Sequence, residues 1–474
     1  MLKKWKICIV LLTMISLISG CFGERSELAP LKDGKGKIRV VYKSEDAFYQ
    51  DYGNFFKMMS PDIDVEVISQ EEMFGGADKE ESFDWNEEKK KLLDKYKPDV
   101  LFLNESMFET FAQEGRLYDI EPAISQDQYK LDGFMPGLID RLRAKGNGKL
   151  YGLTPSFETN VIYYNRNLFK KYQIEPPNGK MTWKELLDLA ERFASVESGK
   201  KQVFGLYQTK GPASLMYDIA AASGLKLVDE KSSKLLIDSD GWKEAMKMTA
   251  DAVRNHAAYA PPPMEEGEQL DGYDNSDFEK HRDYLKQYSR SNELFYIGQA
   301  AMTIQAPWFA SFLRDIPYYS KTPEIDWGIA AAPVNPAKPD ESAYVKLSEI
   351  YAISADSPNK RAAWEFVKFV NGPEMAQVAG KAMNDTLPTR SDYFKDFRGR
   401  ETDAFYLLKP MQASGVSDKK SIPAGFHSEF DVLLSDVLKS LIDQEKTLDE
   451  AVAELQLKGQ EMLDRSREKA KQDQ

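Results

Sequence analysis

The sequence has only two cysteines among its 474 residues, Cys8 and Cys21. Both lie within the first 21 residues, so we expect no disulfide in the folded part of the chain. Histidine is almost as scarce: its three residues lie far apart and form no H-E-x-x-H motif, which leaves a zinc hydrolase unsupported. The chain also lacks a G-x-S-x-G motif, a Walker motif and a dinucleotide-binding glycine pattern. We therefore expect a protein that is not an enzyme, with no catalytic residue, metal or cofactor.

Basic residues are fewer than acidic ones, 63 against 76, which gives a net charge of -13. This balance excludes a protein whose main partner is nucleic acid, because phosphate binding needs a basic surface. Hydrophobic residues make up 42% of the chain and aromatic residues 12%, as in globular proteins. A chain of this length exceeds what one core usually organises, so two lobes are expected.

The amino terminus has the organisation of an export signal. Three lysines precede an apolar run at 7–18, which is too short to span a bilayer as a stable helix. The run leads into Ser-Gly-Cys21, which resembles a bacterial lipobox and implies cleavage before Cys21 and lipid attachment to its sulfur. The alternative is an ordinary signal followed by a chance cysteine. We expect a signal peptide at 1–20, a flexible tether at 21–36 and an anchor in the cell membrane, on its extracytoplasmic face.

Strand and helix patterns alternate after the tether. Strands are predicted at 37–42, 62–68 and 98–103, and a charged helix at 84–96, which together indicate a parallel α/β sheet. In open sheets of this kind, ligands bind beyond the carboxyl ends of the strands. Asn104 and Glu105 follow the third strand and are therefore candidate ligand contacts. The alternative is that these residues only cap the helix that follows.

Similar patterns continue along the chain. Thr182 and Glu185 have the spacing of a capping box at the start of a helix. A stretch rich in acidic residues, proline and glycine at 261–290 departs from the compact pattern and lacks the spacing of a calcium loop. Further strands are predicted at 204–207, 327–333 and 350–353, and further helices at 183–195, 212–223, 239–257, 360–370, 431–442 and 448–467.

The stretch 294–309, LFYIGQAAMTIQAPWF, is the most informative. A short β-prone segment, 302–304, stops before Pro307, because proline cannot extend a sheet ladder. Trp308 follows at once, so an indole lies at the end of a strand. A tryptophan in this position either belongs to the core or offers its face to a ligand.

Several motifs in order resemble the extracellular solute-binding proteins of ABC transporters, which include the maltose-binding protein. The first is the family's G-x-x-A-M-T-x-x-x-x-W run, which is matched at Gly298, Ala301, Met302, Thr303 and Trp308. A second group of matches comprises Tyr151, Gly152, Tyr164, Asn165, Leu168, Phe169, Pro176, Thr182 and Trp183. A third comprises Ser357, Asn359, Lys360, Ala363, Trp364 and Phe366. Trp183 and Trp364 are most simply core residues of amphipathic helices.

The resemblance implies a two-lobed α/β fold of the periplasmic-binding-protein type II class. Three crossings would join the lobes, and a ligand cleft would lie between them. It implies an amino-terminal lobe formed by 37–157 and 351–397, and a carboxyl-terminal lobe formed by 161–347 and 402–474. The protein would act as a monomer.

The resemblance also implies roles for individual residues. Trp308 would stack on a sugar ring, and Glu158 would bond ligand hydroxyls, since a carboxylate accepts several hydrogen bonds. The maltose-binding member has an aromatic ligand contact near the last helices, where Phe430 is the nearest candidate. Tyr217 is the candidate for aromatic contacts whose usual positions here hold Gly211, Pro212 and Ala213.

The function implied is that of a substrate-binding subunit of an ABC importer, which captures a sugar or oligosaccharide by hinge closure and delivers it to a membrane permease. One alternative is a binding protein for a non-sugar solute, such as a peptide or a polyol phosphate. Another is a surface polysaccharide hydrolase, because the separation of two catalytic carboxylates is a property of the fold.

Overall fold

The computed structural model describes residues 28–71, 85–194, 202–229, 233–260, 293–320, 323–347, 349–381, 386–394, 402–411, 422–423 and 425–472. The predicted signal peptide, Cys21 and the acidic stretch 261–290 lie outside the described residues. Within the described part, no helix combines the length and apolar character needed to cross a membrane.

The strands in chain order are β1 Gly36–Tyr42, β2 Ile63–Ser69, β3 Val100–Leu103, β4 Gly152–Leu153, β5 Ser156–Glu158, β6 Val161–Asn165, β7 Phe204–Tyr207, β8 Val228–Asp229, β9 Lys234–Leu235, β10 Ala258–Tyr259, β11 Ala300–Gln305, β12 Trp327–Ala331, β13 Glu341–Ser342, β14 Ile350–Ile353, β15 Thr386–Pro388 and β16 Lys409–Pro410.

The helices in chain order are α1 Glu45–Phe48, α2 Asn54–Met59, α3 Trp85–Tyr96, α4 Glu105–Gln113, α5 Glu121–Gln126, α6 Leu138–Lys145, α7 Arg166–Tyr172, α8 Trp183–Ala194, α9 Gly211–Ala222, α10 Asp240–Arg254, α11 Glu293–Tyr296, α12 Trp308–Ser320, α13 Lys360–Val370, α14 Pro373–Ala379, α15 Phe426–Ile442 and α16 Leu448–Gln472. A π-helical turn, Tyr49–Gly53, joins α1 to α2.

The first sheet has the strand order β2-β1-β3-β14-β4. β1 is parallel to β2 and β3, whereas β14 is antiparallel to both β3 and β4. Parallel neighbours need a long connection, which α1 and α2 supply between β1 and β2, and α3 between β2 and β3. The predicted strand-helix alternation is therefore confirmed, in a mixed sheet rather than a wholly parallel one.

The second sheet has the strand order β10-β7-β11-β6-β12. β10, β7 and β11 are parallel, and β6 runs antiparallel to both of its neighbours, β11 and β12. Each sheet carries its own helices, so the chain forms the two α/β lobes that were predicted. We call the lobe built on the first sheet the first lobe, and the other the second lobe.

The chain passes between the sheets between β4 and β6, between β12 and β14, and again before α15, which packs on α9 and α10 of the second lobe. β5 lies in the first passage and pairs antiparallel with β15 from the third. Glu158 of β5 also bridges to Lys346 in the second passage. We call β5, β15 and residues 344–347 the connecting ladder.

Two large apolar clusters form the cores of the described part of the chain, and a third contains only Ala331, Val334 and Leu408. One fills the first lobe and continues onto one face of the second sheet, where Tyr163 packs edge-on against Phe309 with ring centroids 5.0 Å apart. The other covers the opposite face of the second sheet and includes the fully buried Trp242. Trp183 and Trp364 are buried, as predicted.

The predicted capping box at the start of α8 is confirmed. The Thr182 amide donates to the Glu185 carboxylate at 2.7 Å, and the Glu185 amide donates to the Thr182 hydroxyl at 3.2 Å. Each bond satisfies an amide that the first helical turn leaves without a partner.

The predicted tether at 21–36 is too long. Leu28 is buried, its amide donates to the Gln126 side chain at 2.9 Å, and its carbonyl accepts from the same side chain at 2.9 Å. Residues from Leu28 onward therefore belong to the first lobe, because a backbone fixed in this way cannot act as a free linker.

Candidate functional site

One edge of the first sheet collects polar side chains. The parallel register of β1 with β3 and the antiparallel register of β14 place Lys43, Asn104 and Glu349 beyond the same strand ends. Lys43 forms an ion pair with Glu349 at 2.9 Å, and the Ser156 hydroxyl donates to Glu349 at 3.3 Å. The edge therefore carries a lysine and a carboxylate next to the connecting ladder.

One edge of the second sheet collects the other candidate residues. Gln305 of β11 pairs with Val161 of β6, so Trp308 and Glu158, each three residues beyond that pair, leave the sheet at the same edge. β7 runs parallel to β11, so Gln208 leaves at this edge too. The sequence predicted Trp308 and Glu158 from separate motifs, and the fold brings their strand ends together.

Two passages of the chain join these two edges. The chain leaves the first sheet after Leu153 and enters the second at Val161, so the eight steps between these Cα atoms can separate the edges by no more than about 29 Å. The second passage joins the same two edges, from Ala331 to Ile350. The ligand cleft that the resemblance implies would lie between these two edges, next to the connecting ladder.

Trp308 is half-buried and is the first residue of α12. Its indole packs edge-on against Phe309 and Phe312, with ring centroids 5.5 and 6.1 Å apart. Pro307 ends the strand as predicted, but the sequence pattern did not predict the helix that follows. Trp308 as a whole is therefore only partly covered.

Asn104 and Glu105 have structural partners. The Asn104 side chain caps α4 by accepting from the Met107 amide at 2.9 Å. Glu105 accepts two bonds from the buried Arg141 guanidinium, at 2.7 and 3.1 Å, and Arg141 also donates to the Met411 carbonyl. Asn104 therefore caps the following helix, as the alternative prediction stated, and Glu105 forms an ion pair with Arg141. Asn104 stays an exposed candidate at the cleft edge, and Glu105 is the weaker one.

Tyr217 and Phe430 lie in the second lobe. The Tyr217 hydroxyl donates to Asp431 at 2.7 Å and so ties α9 to α15, while its ring packs on Trp242. Burial raises the pKa of Tyr217 well above its ordinary value. Phe430 is fully buried and stacks on Phe426 with centroids 5.2 Å apart.

The structure contradicts a ligand contact by Phe430. α15 begins at Phe426, not at Asp431 as the pattern predicted, so Phe430 lies one helical turn inside α15 and faces the core. A fully buried ring offers no face to a ligand. Tyr217 is partly buried, and its role as a ligand contact stays a prediction.

A polar group on the second lobe was missed by the sequence reasoning. Gln208, which follows β7, donates to the Asp218 carboxyl of α9 at 2.9 Å. Burial raises the pKa of Asp218 to about 6, although the Gln208 bond and the charges of Lys210 and Lys346 oppose this. The buried Tyr344 hydroxyl lies near Asp218 without a normal hydrogen bond to any described residue. Gln208 directly follows a predicted strand, as Asn104 does, so the same position at a strand end would have identified it as a candidate.

Two tyrosines were also missed. Tyr207 and Tyr259 are paired in register at the carboxyl ends of β7 and β10, and their rings stack with centroids 5.8 Å apart. Tyr259 is 37% exposed. Burial raises the pKa of Tyr207 to about 12, so its hydroxyl remains protonated at neutral pH. The second sheet therefore places further aromatic surface along the edge that carries Trp308.

Curated proteins similar to this chain are binding proteins. The maltodextrin-binding protein of Bacillus subtilis is 25% identical over 286 residues, 59% of this chain and 55% of that protein. The mannitol-binding protein of Pseudomonas aeruginosa is 26% identical over 263 residues, 54% and 52% of the two chains. The arabinooligosaccharide-binding protein of Bacillus subtilis is 24% identical over 271 residues, 55% and 57%. The chain spans about half the length of these relatives.

Solved structures share the fold. An extracellular solute-binding protein of family 1 from Alicyclobacillus acidocaldarius superposes with a TM-score of 0.60 at 14% identity, over 92% of this chain and 100% of that one. A sugar transporter from Rhizobium etli in an open conformation gives 0.59 at 17% identity, over 90% and 99%. The predicted two-lobed α/β fold is confirmed by these likenesses.

The sequence profile of one protein family matches residues 71–397, about two thirds of the chain. That segment includes both sheet edges and the connecting ladder, except for the ends of β1 and β2. The chain belongs to the bacterial extracellular solute-binding proteins.

Proposed function

We propose that this protein is the substrate-binding subunit of an ABC importer, and that it captures a sugar or oligosaccharide by closing its two lobes. The observation that carries the proposal is the shared edge that holds Trp308 and Glu158, which two passages of the chain join to the first-lobe edge with Lys43 and Glu349. An aromatic face covers the C–H surface of a sugar, and a carboxylate accepts from its hydroxyls. The protein binds this ligand and releases it unchanged.

The relatives support the ligand class. The relatives are described as binding maltodextrin, arabino-oligosaccharides and mannitol. These ligands differ in the number of sugar rings, but all three are rich in hydroxyl groups and carry no charge. Closure follows when a ligand makes better contacts in the closed state than in the open one. The delivery partner is a membrane permease.

The test is a thermal-shift screen with maltotriose, arabinotriose and mannitol, followed by calorimetry on the wild-type protein and on Trp308→Ala. A ligand that binds only the folded state raises the unfolding temperature. We expect Trp308→Ala to weaken binding at least tenfold, and the control Tyr393→Ala, an exposed tyrosine of the first lobe, to leave it unchanged. Equal affinity in both variants would remove Trp308 from the site, and release of reducing ends from a glycan would indicate a hydrolase.

Membrane attachment is a second part of the proposal. The lipobox-like Ser-Gly-Cys21 that follows the apolar run supports lipidation of Cys21, which would hold the protein at the extracytoplasmic face of the cell membrane. Labelling of cells with radioactive palmitate should mark the wild-type protein but not Cys21→Ala. Equal labelling of the two proteins would disprove lipidation at this residue.

A further inference from the structure

Three polar side chains lie in a row across the connecting ladder, with Glu158 at the centre. The Glu158 amide donates to the Lys346 carbonyl at 2.9 Å, and the Lys346 amide donates to the Glu158 carbonyl at 3.0 Å. Antiparallel residues that exchange both bonds have Cα atoms about 5.5 Å apart and side chains on the same face. Glu158 and Lys346 are therefore direct cross-strand neighbours of opposite charge.

Thr386 flanks Glu158 on the other side, in the register of β5 with β15. Because both backbone polar groups of Glu158 point to Lys346, Glu158 and Thr386 form a non-hydrogen-bonded pair, in which side chains approach more closely. The row thus presents an ammonium, a carboxylate and a hydroxyl side by side.

The face that carries the row is flanked by groups of both lobes. Ser156 lies two residues before Glu158 on β5 and therefore shares this face, and Tyr344 lies in the turn two residues before Lys346. Ser156 donates to Glu349 of the first-lobe edge, and Tyr344 lies near Asp218 of the second lobe. The opposite face is buried in the core through Phe157 and Leu387.

The charged groups of the row are available to a ligand. Lys346 is exposed and Glu158 is half-buried, and neither forms an ion pair or a side-chain hydrogen bond with any residue that the structure describes. Lys346 acts on Asp218 only through space. An exposed pair of opposite charges contributes no more than about 1 kcal/mol. A ligand that bonds to both groups therefore replaces a weak interaction with strong ones.

We propose that Lys346 is a ligand-contacting residue of the cleft, and that Lys346 and Glu158 together bind two neighbouring hydroxyl groups of a neutral ligand. One hydroxyl donates to the carboxylate, which only accepts, and its neighbour accepts from the ammonium, which only donates. An anionic ligand would face Glu158, and a cationic one would face Lys346. The pair therefore selects uncharged vicinal diols. This inference rests on the proposed function and assigns part of its specificity.

The experiment is calorimetry of the full chain with maltotriose, arabinotriose and mannitol, using the wild-type protein, Lys346→Met, Lys346→Arg and Lys458→Met. Lys458 lies on α16 and makes an exposed pair with Glu454, so Lys458→Met removes the same charge away from the cleft. We expect Lys346→Met to weaken binding about tenfold or more, because hydrogen bonds to charged groups are strong. Lys346→Arg should keep most of the affinity, and Lys458→Met all of it.

A deoxy series of the bound ligand isolates the hydroxyl that Lys346 contacts. One analogue should bind Lys346→Met and the wild-type protein with equal affinity, because the partner of Lys346 is absent from it. A tenfold difference that persists for every analogue would contradict the assignment, as would equal affinities of Lys346→Met and Lys458→Met. A wild-type protein that binds no sugar or polyol contradicts the proposed function itself, and the inference fails with it.

Discussion

At the scale of single residues, Asp127, which follows α5, accepts hydrogen bonds from three side chains of α13. Its carboxylate accepts from Arg361 at 2.8 and 2.9 Å, from Lys368 at 2.8 Å and from the Trp364 indole at 3.0 Å. Burial opposes its ionisation, but these donors outweigh burial and hold the pKa of Asp127 at about 2. The carboxylate therefore ties the end of α5 to α13.

Asp127→Ala should lower the free energy of unfolding by about 3 kcal/mol at pH 7, because it removes the acceptor of the buried Trp364 indole and of the partly buried Arg361 and Lys368. Urea unfolding followed by circular dichroism measures the change. Asp188→Ala, which removes one partner of an exposed pair on α8, should cost less than about 0.5 kcal/mol. The contribution of Asp127 should persist above pH 3.8 and disappear as the pH falls towards 2. Equal costs for the two variants would refute the central role of Asp127.

Asp218 should show the opposite dependence on pH. Its pKa of about 6 in the folded state exceeds the ordinary value of 3.8, so the folded protein binds more protons than the unfolded chain between these values. Its effect should therefore lower the stability as the pH rises from 4 to 6. Asp218→Asn removes this effect, so the stability of the variant relative to the wild-type protein should increase over that range. A constant difference between pH 4 and pH 7 would show that Asp218 titrates normally.

Sequence reasoning placed residues at strand ends more reliably than it assigned their partners. Asn104, Glu158 and Trp308 do lie at sheet edges. The partner of Glu105 is Arg141, 36 residues further along the chain, and no local pattern contains that contact. Phe430 was misplaced because α15 starts five residues earlier than its apolar periodicity indicated.

At the scale of elements, α8 packs on the second sheet through Gly205. A Cβ atom at this position would lie 2.0 Å from the Ala190 carbonyl oxygen, so only glycine allows α8 to lie this close to β7. Gly205→Ala should lower the unfolding free energy by about 3 kcal/mol, because an added methyl group in a packed interface forces the backbone apart.

The matched control is Gly115→Ala, where nothing lies within 4 Å of the added carbon and only the positive φ of 69° is strained. That substitution should cost about 1 kcal/mol. Thermal unfolding followed by circular dichroism gives both values. A smaller cost for Gly205→Ala than for Gly115→Ala would show that α8 can move away without penalty.

Most elements could be predicted because their apolar periodicity is local. The bounds of β7, β14 and α13 agree with the sequence pattern. α12 was missed because Pro307 precedes it and Pro317 lies inside it, and proline ordinarily signals the end of a helix. Its stability comes from tertiary packing, since Phe309 and Leu313 are buried against the second sheet.

At the scale of the whole molecule, the two-lobed fold followed from a series of motifs in the right order, whereas the pairing within the connecting ladder depends on residues more than 180 positions apart. Glu158 bonds to Lys346, and β5 pairs with β15. The ladder puts Glu158 and Lys346, the proposed ligand contacts, on the segments that join the lobes. A ligand that moves an open-closed equilibrium from 1:99 to 99:1 must bind the closed state better by about 5.5 kcal/mol. Contacts from both edges and from the ladder can supply this difference.

Small-angle X-ray scattering of the full chain, with and without a saturating ligand from the calorimetric screen, tests the central claim most directly. If the lobes close on the ligand, the radius of gyration should fall on saturation, and the same ligand should leave the radius of Trp308→Ala unchanged at concentrations where that variant stays unbound. A wild-type radius that does not change while calorimetry shows full occupancy would contradict capture by closure.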